Sequence, residues 1–286
     1  MNKLFFFLSL IFISFSSFAN EKLIVILDWF PNPNHAPLFV AKDKGYFQAV
    51  GLDVKLIGPA NPSDPPKLVA AKKADIAITY QPQFIEQVDQ GLPLIRIGTL
   101  IDKPLDCLVV LEDGPIKKIS DLKNKRVGYS SGSMNSLALK TMLEHHGLSL
   151  KDVEHINVQF DLTQALLTKK IDAATGMMRN FETVQMNLAG HPARIFLPEE
   201  HGVPTYSELI FVTHTKNLHD KKILLFLQAL KKGTGYLKAH PKESWELFIK
   251  NHPELNDDLN HQVWFASLTY FADEPSYFDA KTRNNT

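Results

Sequence analysis

From residue 22 onward the chain alternates two patterns of apolar and polar positions. Short apolar runs, rich in Ile, Val and Leu and bounded by Gly, Pro, Asp or Asn, predict strands. They fall at 22–27, 53–57, 75–79, 94–100 and 105–111, then at 126–129, 155–158, 172–175, 193–196 and 208–213. Between them, apolar residues at three- and four-residue spacing predict helices over 36–44, 65–73, 82–90, 134–146 and 162–169. After Thr213 the pattern is almost wholly helical, from about 218 to 270. Punctuation supports these limits. Asn34 is placed to cap the first helix, with Pro37 in its first turn and Gly45 at its end. Pro65 and Pro82 stand at helix starts, and Asp161 with Gln164 has the spacing of a capping box.

Strands alternating with helices of this length predict an α/β fold with parallel-type sheets and right-handed crossovers. The strands form two groups, separated by Asp113-Gly114-Pro115 and the charged stretch Lys117 to Lys125. Two lobes follow as the expectation: 20–112 with 207–286 in the first, 113–206 in the second. Two crossover segments between lobes make a hinge, and ligands lodge in the cleft that such a hinge closes.

The first 19 residues have a different character. One lysine precedes the run Leu4 to Ile13, apolar apart from Ser9, and Ser17-Phe18-Ala19 offers small residues at the positions of a cleavage site. This is the pattern of a secretory signal peptide cleaved after Ala19, short for a membrane span and without a cysteine to carry lipid. The expected mature chain has 286 − 19 = 267 residues and is soluble and periplasmic. Its charge is near balance, 31 − 1 basic against 31 acidic residues, so nothing calls for nucleic acid or a membrane surface. The one cysteine, Cys107, excludes an internal disulfide and reads as a small buried hydrophobe.

Several stretches carry a resemblance. The densest is Leu27-Asp28-Trp29-Phe30-Pro31-Asn32-Pro33-Asn34-His35 followed by Gly45-Tyr46-Phe47. Pro59-Ala60-Asn61-Pro62-Ser63-Asp64, Lys73-Ala74-Asp75-Ile76 and Gly202-Val203-Pro204-Thr205-Tyr206-Ser207-Glu208-Leu209 add to it. Together they resemble the NMT1/THI5-like family over nearly all of the mature chain. The resemblance implies the two-lobed fold of periplasmic binding proteins (type II). Bacterial members are mostly binding proteins of ABC importers, one branch carrying formylaminopyrimidine or a related thiamin pyrimidine precursor. Fungal and plant members are suicidal enzymes that build the pyrimidine phosphate from pyridoxal phosphate and their own histidine. The enzymes need a lysine and that histidine just after the third strand, where this chain has Thr79 and Gln83. Neither replacement can do the chemistry of an amine nucleophile or a consumed imidazole. The enzymes' cysteine-rich iron-binding motif is also missing, since 205–213 holds no cysteine. Relatives usually continue with a further helix after the equivalent of Phe278-Asp279-Ala280, whereas here a polar tail follows.

The resemblance therefore implies a monomeric substrate-binding protein without cofactor, metal or catalytic residues. Its partners would be a small aminopyrimidine-type ligand and a membrane permease. The rival ligand class is a sulfonate, a nitrate-like anion or another small solute; the remote alternative is a pyridoxal-phosphate-consuming pyrimidine phosphate synthase.

Candidate ligand-binding residues stand at strand ends, where open α/β sheets bind ligands. Asp28 and Trp29 end the first strand, and Trp29 could stack on a planar ring or simply plug the lobe's edge. Tyr80 ends the third strand, and the two rings could sandwich a ligand. Asn34 is at least a cap, and His35 is either a cleft hydrogen-bonding group or a solvated helix-start histidine. Ser130, Ser131, Gly132 and Ser133 lead into a helix, as ordinary capping or as a polar cradle. Glu182 is where the resemblance points for the acidic partner of a pyrimidine; otherwise it is a surface glutamate. Tyr206 and Glu208 flank the return crossing. An anionic ligand would want a cleft cation, for which Arg179 is the obvious candidate. His145-His146 reads as helix-end capping, and no metal-ligand spacing, nucleophile elbow, P-loop or dinucleotide fingerprint is present.

Overall fold

A computed structural model of the chain describes residues 20–130 and 137–275. The signal segment and the candidates Ser131, Gly132 and Ser133 lie outside them. All ten expected strands form. They are β1 (Glu21–Ile26), β2 (Leu52–Ile57), β3 (Ile76–Tyr80), β4 (Leu94–Ile101), β5 (Asp106–Leu111), β6 (Arg126–Tyr129), β7 (Glu154–Asn157), β8 (Ala173–Met178), β9 (Ala193–Phe196) and β10 (Leu209–His214). They build two five-stranded sheets, ordered β2-β1-β3-β10-β4 and β7-β6-β8-β5-β9. Among the described residues three α-helices follow β10, at Lys221–Ala239, Pro241–Asn251 and Asp258–Ser267.

Period-two alternation explains how each sheet is covered on both faces. Leu23, Val25 and Leu27 of the first strand region, Ile76 and Ile78 of β3, and Leu209 and Phe211 of β10 share one core with the C-terminal helices. Their alternates Ile26, Ala77, Ile210 and Val212 enter the core on the other face, under Val69. The second sheet divides the same way: Leu108 and Val110 of β5 face one cluster, Cys107 and Val109 the other. Cys107 is fully buried, and burial pushes its thiol well up, in keeping with its expected role as a core residue.

Two expectations about the sheets need correction. The sheets are mixed: β10 runs antiparallel to both β3 and β4, and β5 antiparallel to both β8 and β9. The run 105–111 was expected in the first lobe, yet β5 pairs only in the second sheet. The chain thus leaves the first sheet after Ile101 and has joined the second by Asp106, well before the Asp-Gly-Pro break. β4 and β5 are joined by residues 102–105 with no helix between them, so β5 is the strand by which the chain enters the second sheet.

Local capping also differs from expectation at two places. Asn32, not Asn34, caps the chain's first helical turn, accepting from the Asn34 N–H at 2.8 Å. Asp161 precedes the helix Leu162–Leu167 but makes no side-chain cap bond.

Candidate functional site

The carboxyl ends of β1, β3, β6 and β8 open onto a cleft between the two sheets. The cleft has two adjoining compartments that share Tyr80 and Gly176. The smaller, a narrow space in this form of the chain, is lined by Asp28, Trp29, Asn34, Met178, Phe181 and Glu182. The larger, about 640 Å³ and open to solvent, is lined by Asp106, Tyr129, Ser130, Thr175, Tyr206 and Glu208 among others.

Asp28 is 2% exposed and organises the first-lobe wall. Its Oδ1 lies 2.9 Å from His35 Nε2, and its Oδ2 accepts from the Tyr80 hydroxyl at 2.9 Å. The Asn32 backbone N–H points at His35 Nδ1 from 3.3 Å, which assigns the proton to Nε2 and makes that nitrogen the donor to Asp28. Burial, with the Asp28 charge beside it, pushes the Tyr80 phenol well up, so it stays a donor. His35 is fully buried and anchors this wall, so the solvated reading is excluded.

Asn34 joins the lobes. Its Oδ1 accepts from Asn180 Nδ2 at 2.7 Å and lies 2.9 Å from Ser267 Oγ, while its amide donates to Met178 Sδ at 3.1 Å. Trp29 is half-buried and meets Phe160 of the second lobe edge-on, with ring centroids 4.7 Å apart. It packs against the second-lobe core around Val158 and Leu162. It therefore closes the cleft's edge and lines the smaller compartment at once.

Glu182 is 8% exposed, not a surface residue. Its Oε2 accepts the Met178 N–H at 2.7 Å, and desolvation pushes its carboxyl up to about 7 despite that bond. Glu86, Asp106 and Glu208 line the larger compartment, and the last two are tied to backbone N–H groups. Glu208 accepts the N–H groups of Leu105 and Asp106 at 2.6 and 2.8 Å, tying one crossover strand to the other; burial pushes it up to about 8. Asp106 accepts the Gly176 N–H at 2.9 Å, and burial raises it to about 6.

Arg179 is not available to a ligand. It pairs with Glu199 through both Nη atoms, at 2.6 and 3.0 Å, and donates to the carbonyls of Leu105 and Asp106. No Lys or Arg lines either compartment among the described residues. Residues 131–136, next to Ser130, contain no basic residue in sequence.

The structure thus brings Asp28, Trp29, Asn34, Tyr80 and Glu182 to one compartment and Ser130 and Tyr206 to the next, with His35 behind Asp28. Asp106, Thr175 and Gly176 were not expected there. The signal for Gly176 was a glycine inside an apolar strand, which marks close approach of another group. Its φ of +86° is a left-handed conformation that glycine adopts without strain.

The comparisons with known proteins agree with this architecture. The family model described as NMT1/THI5 like matches residues 32–244. A Haemophilus influenzae protein named for thiamine biosynthesis is 47% identical over 266 residues, 93% of this chain and 85% of its own. The formylaminopyrimidine-binding protein of Halalkalibacterium halodurans is 32% identical, over 88% of this chain and 77% of its own. A 4-amino-5-hydroxymethyl-2-methylpyrimidine phosphate synthase of Saccharomyces cerevisiae is 27% identical over 89% and 78%. The alkanesulfonate-binding protein of Xanthomonas axonopodis pv. citri, solved with MOPS bound, superposes with a TM-score of 0.70 at 16% identity. It covers 92% of this chain and 88% of its own, and it shares the two-lobed binding-protein fold. By the match of its family model and by these relatives, the chain belongs to the NMT1/THI5-like family.

Proposed function

We propose that this protein is the periplasmic substrate-binding component of an ABC importer and captures an aminopyrimidine precursor of thiamin. The observation that carries this reading is the chemistry of the cleft. Carboxyl groups and aromatic rings line it, and among the described residues no Lys or Arg does. A ring amine donates to a carboxylate, and a planar ring gains from an aromatic face. In this reading the ring lies in the smaller compartment between Trp29 and Tyr80, with Glu182 accepting from its amine and Asn34 in reach. Ligand contacts made by both lobes favour the closed state, which then docks on a permease. A sulfonate or nitrate would meet Asp28 and Asp106, and among the described residues no Lys or Arg lines either compartment to offset them, so the anion reading lacks its central element.

The cleft does not fit pyridoxal phosphate as a covalent cofactor. Thr79 and Gln83 bond each other at 3.3 Å in place of the enzymes' lysine and histidine, and no lysine lines either compartment. Borohydride reduction after incubation with pyridoxal phosphate is expected to leave no adduct at the cleft. A stoichiometric adduct mapped there by mass spectrometry would restore the synthase reading.

The test of capture is calorimetry against aminopyrimidines, taurine and nitrate, with tryptophan fluorescence as a second readout. Aminopyrimidines are expected to bind with quenching. Trp29→Ala is expected to weaken them about tenfold, since stacking adds about 0.5–1.5 kcal/mol beyond area burial. Heat from taurine or nitrate with silence from every pyrimidine would overturn the assignment.

A further inference from the structure

Three aromatic rings meet at the rim of the smaller compartment, and they come from both sheets. Trp29 and Phe30 follow β1 of the first sheet, and Phe160 stands in the turn after β7 of the second. Between ring centroids, Phe160 lies 4.7 Å from Trp29, edge-on, and 4.3 Å from Phe30. Trp29 lines both the smaller compartment and a groove beside it, whereas Phe30 and Phe160 line only the groove. Phe160 therefore reaches the compartment through Trp29 alone. Each side of this contact is held from its own sheet. On the first, the Asn32 side chain donates to the Phe30 carbonyl at 2.9 Å. A Cβ at Gly58 would lie 3.3 Å from Pro31 Cδ, so glycine lets this turn rest close on the end of β2. On the second, Gln159 is left-handed at a φ of +50°, a costly conformation for a residue with a side chain. Lys72 and Lys169 adopt it just beyond helix ends, which is an ordinary use. Gln159 adopts it in the turn that presents Phe160 to Trp29. Strain kept at such a turn points to a task for the ring it presents.

We infer that Phe160 is a positioning residue, clasping the Trp29 indole from the opposite lobe so that closure sets the plane of that ring. An edge-to-face contact orients a ring as well as burying it. The contact spans two sheets, so it exists only while they are together, and parting them frees Trp29 to turn. Contacts confined to the closed state act on the escape of a ligand more than on its arrival. The effect on Trp29 stands by itself; the effect on the ligand rests on the proposed capture of an aminopyrimidine.

The chain has three tryptophans, so labelling with 5-fluorotryptophan gives three fluorine resonances, and Trp29→Phe identifies the one from Trp29. Trp245 and Trp264 lie in the core of the first sheet and report on folding. In the ligand-free chain, Phe160→Leu keeps apolar bulk without the ring; it is expected to move the Trp29 resonance and leave the other two. Phe160→Tyr keeps the ring and is expected to leave all three near their wild-type positions. Stopped-flow mixing with 4-amino-5-hydroxymethyl-2-methylpyrimidine supplies the second readout. Phe160→Leu is expected to speed dissociation about tenfold while changing association less than about threefold, and Phe160→Tyr to restore the wild-type rate. An unmoved Trp29 resonance, or an unchanged dissociation rate for the bound pyrimidine, overturns the clasp. So does a Phe160→Tyr chain as disturbed as Phe160→Leu. A moved resonance with no pyrimidine bound upholds the clasp and overturns the capture reading.

Discussion

Glu182→Gln is expected to bind an aminopyrimidine about 10- to 100-fold more weakly than the wild-type chain, yet to unfold at a higher temperature at pH 8. The affinity loss follows from removing a charge-assisted hydrogen bond, worth about 1.5–3 kcal/mol. The stability gain follows from burial. The ligand-free carboxyl titrates near 7 instead of 4.5, chiefly through desolvation, with the charges of Asp106 and Asp28 acting in the same direction. Between those two values the folded chain holds a proton that the unfolded chain has released. Stability therefore falls as pH rises through that window, by at most about 1.4 kcal/mol per pH unit for one proton. Asp106 and Glu208, raised to about 6 and about 8, add slopes of the same sign. The wild-type midpoint should thus be higher at pH 5 than at pH 8, and the variant should show a shallower decline. Glutamine keeps an acceptor for the Met178 N–H, so at pH 5 the two proteins should nearly coincide. Calorimetric scans from pH 5 to 8 check this. A variant that binds normally and loses stability at pH 8 would remove Glu182 from the site.

Trp264→Ala is expected to cost about 3–5 kcal/mol of folding stability, the largest single effect proposed for this chain. Trp264 is fully buried, lies 4.9 Å from Phe248 and 5.5 Å from Trp245 between ring centroids, and donates to the Pro241 carbonyl at 3.1 Å. Alanine leaves a cavity there and removes the indole hydrogen bond that ties this helix to the preceding one. The damage should reach the cleft, because Ser267 at the end of the same helix holds Asn34 and Asn180 together. Ligand affinity should fall with stability, and Trp264→Phe should recover part of both. Denaturant unfolding with a loss below about 1 kcal/mol would show that this helix lies outside the core.

Short, nearly continuous apolar runs were enough to place ten strands in sequence, because a strand covered on both faces must be apolar at nearly every position. The Asp28-Trp29 strand end was legible too, since a polar pair closing an apolar run has few other uses. Asn34 was read as a cap, and here the sequence was ambiguous: Asn32 has the same chemistry two residues earlier and takes that role. Only packing with Asn180 and Ser267, 146 and 233 residues away, assigns Asn34 to the junction of the lobes.

The sequence by itself determined the α/β class and the positions of the ten strands, and its single cysteine excluded an internal disulfide, all of which follow from local composition and periodicity. The tertiary structure decided what crosses between the lobes. The direction of β5 and β10, the pairing of Arg179 with Glu199 and the meeting of Asp106, Ser130 and Thr175 around Gly176 involve partners far apart in the chain. So does the burial that lifts three carboxyls toward neutrality. Such properties depend on distance and desolvation, which arise only when remote segments pack together.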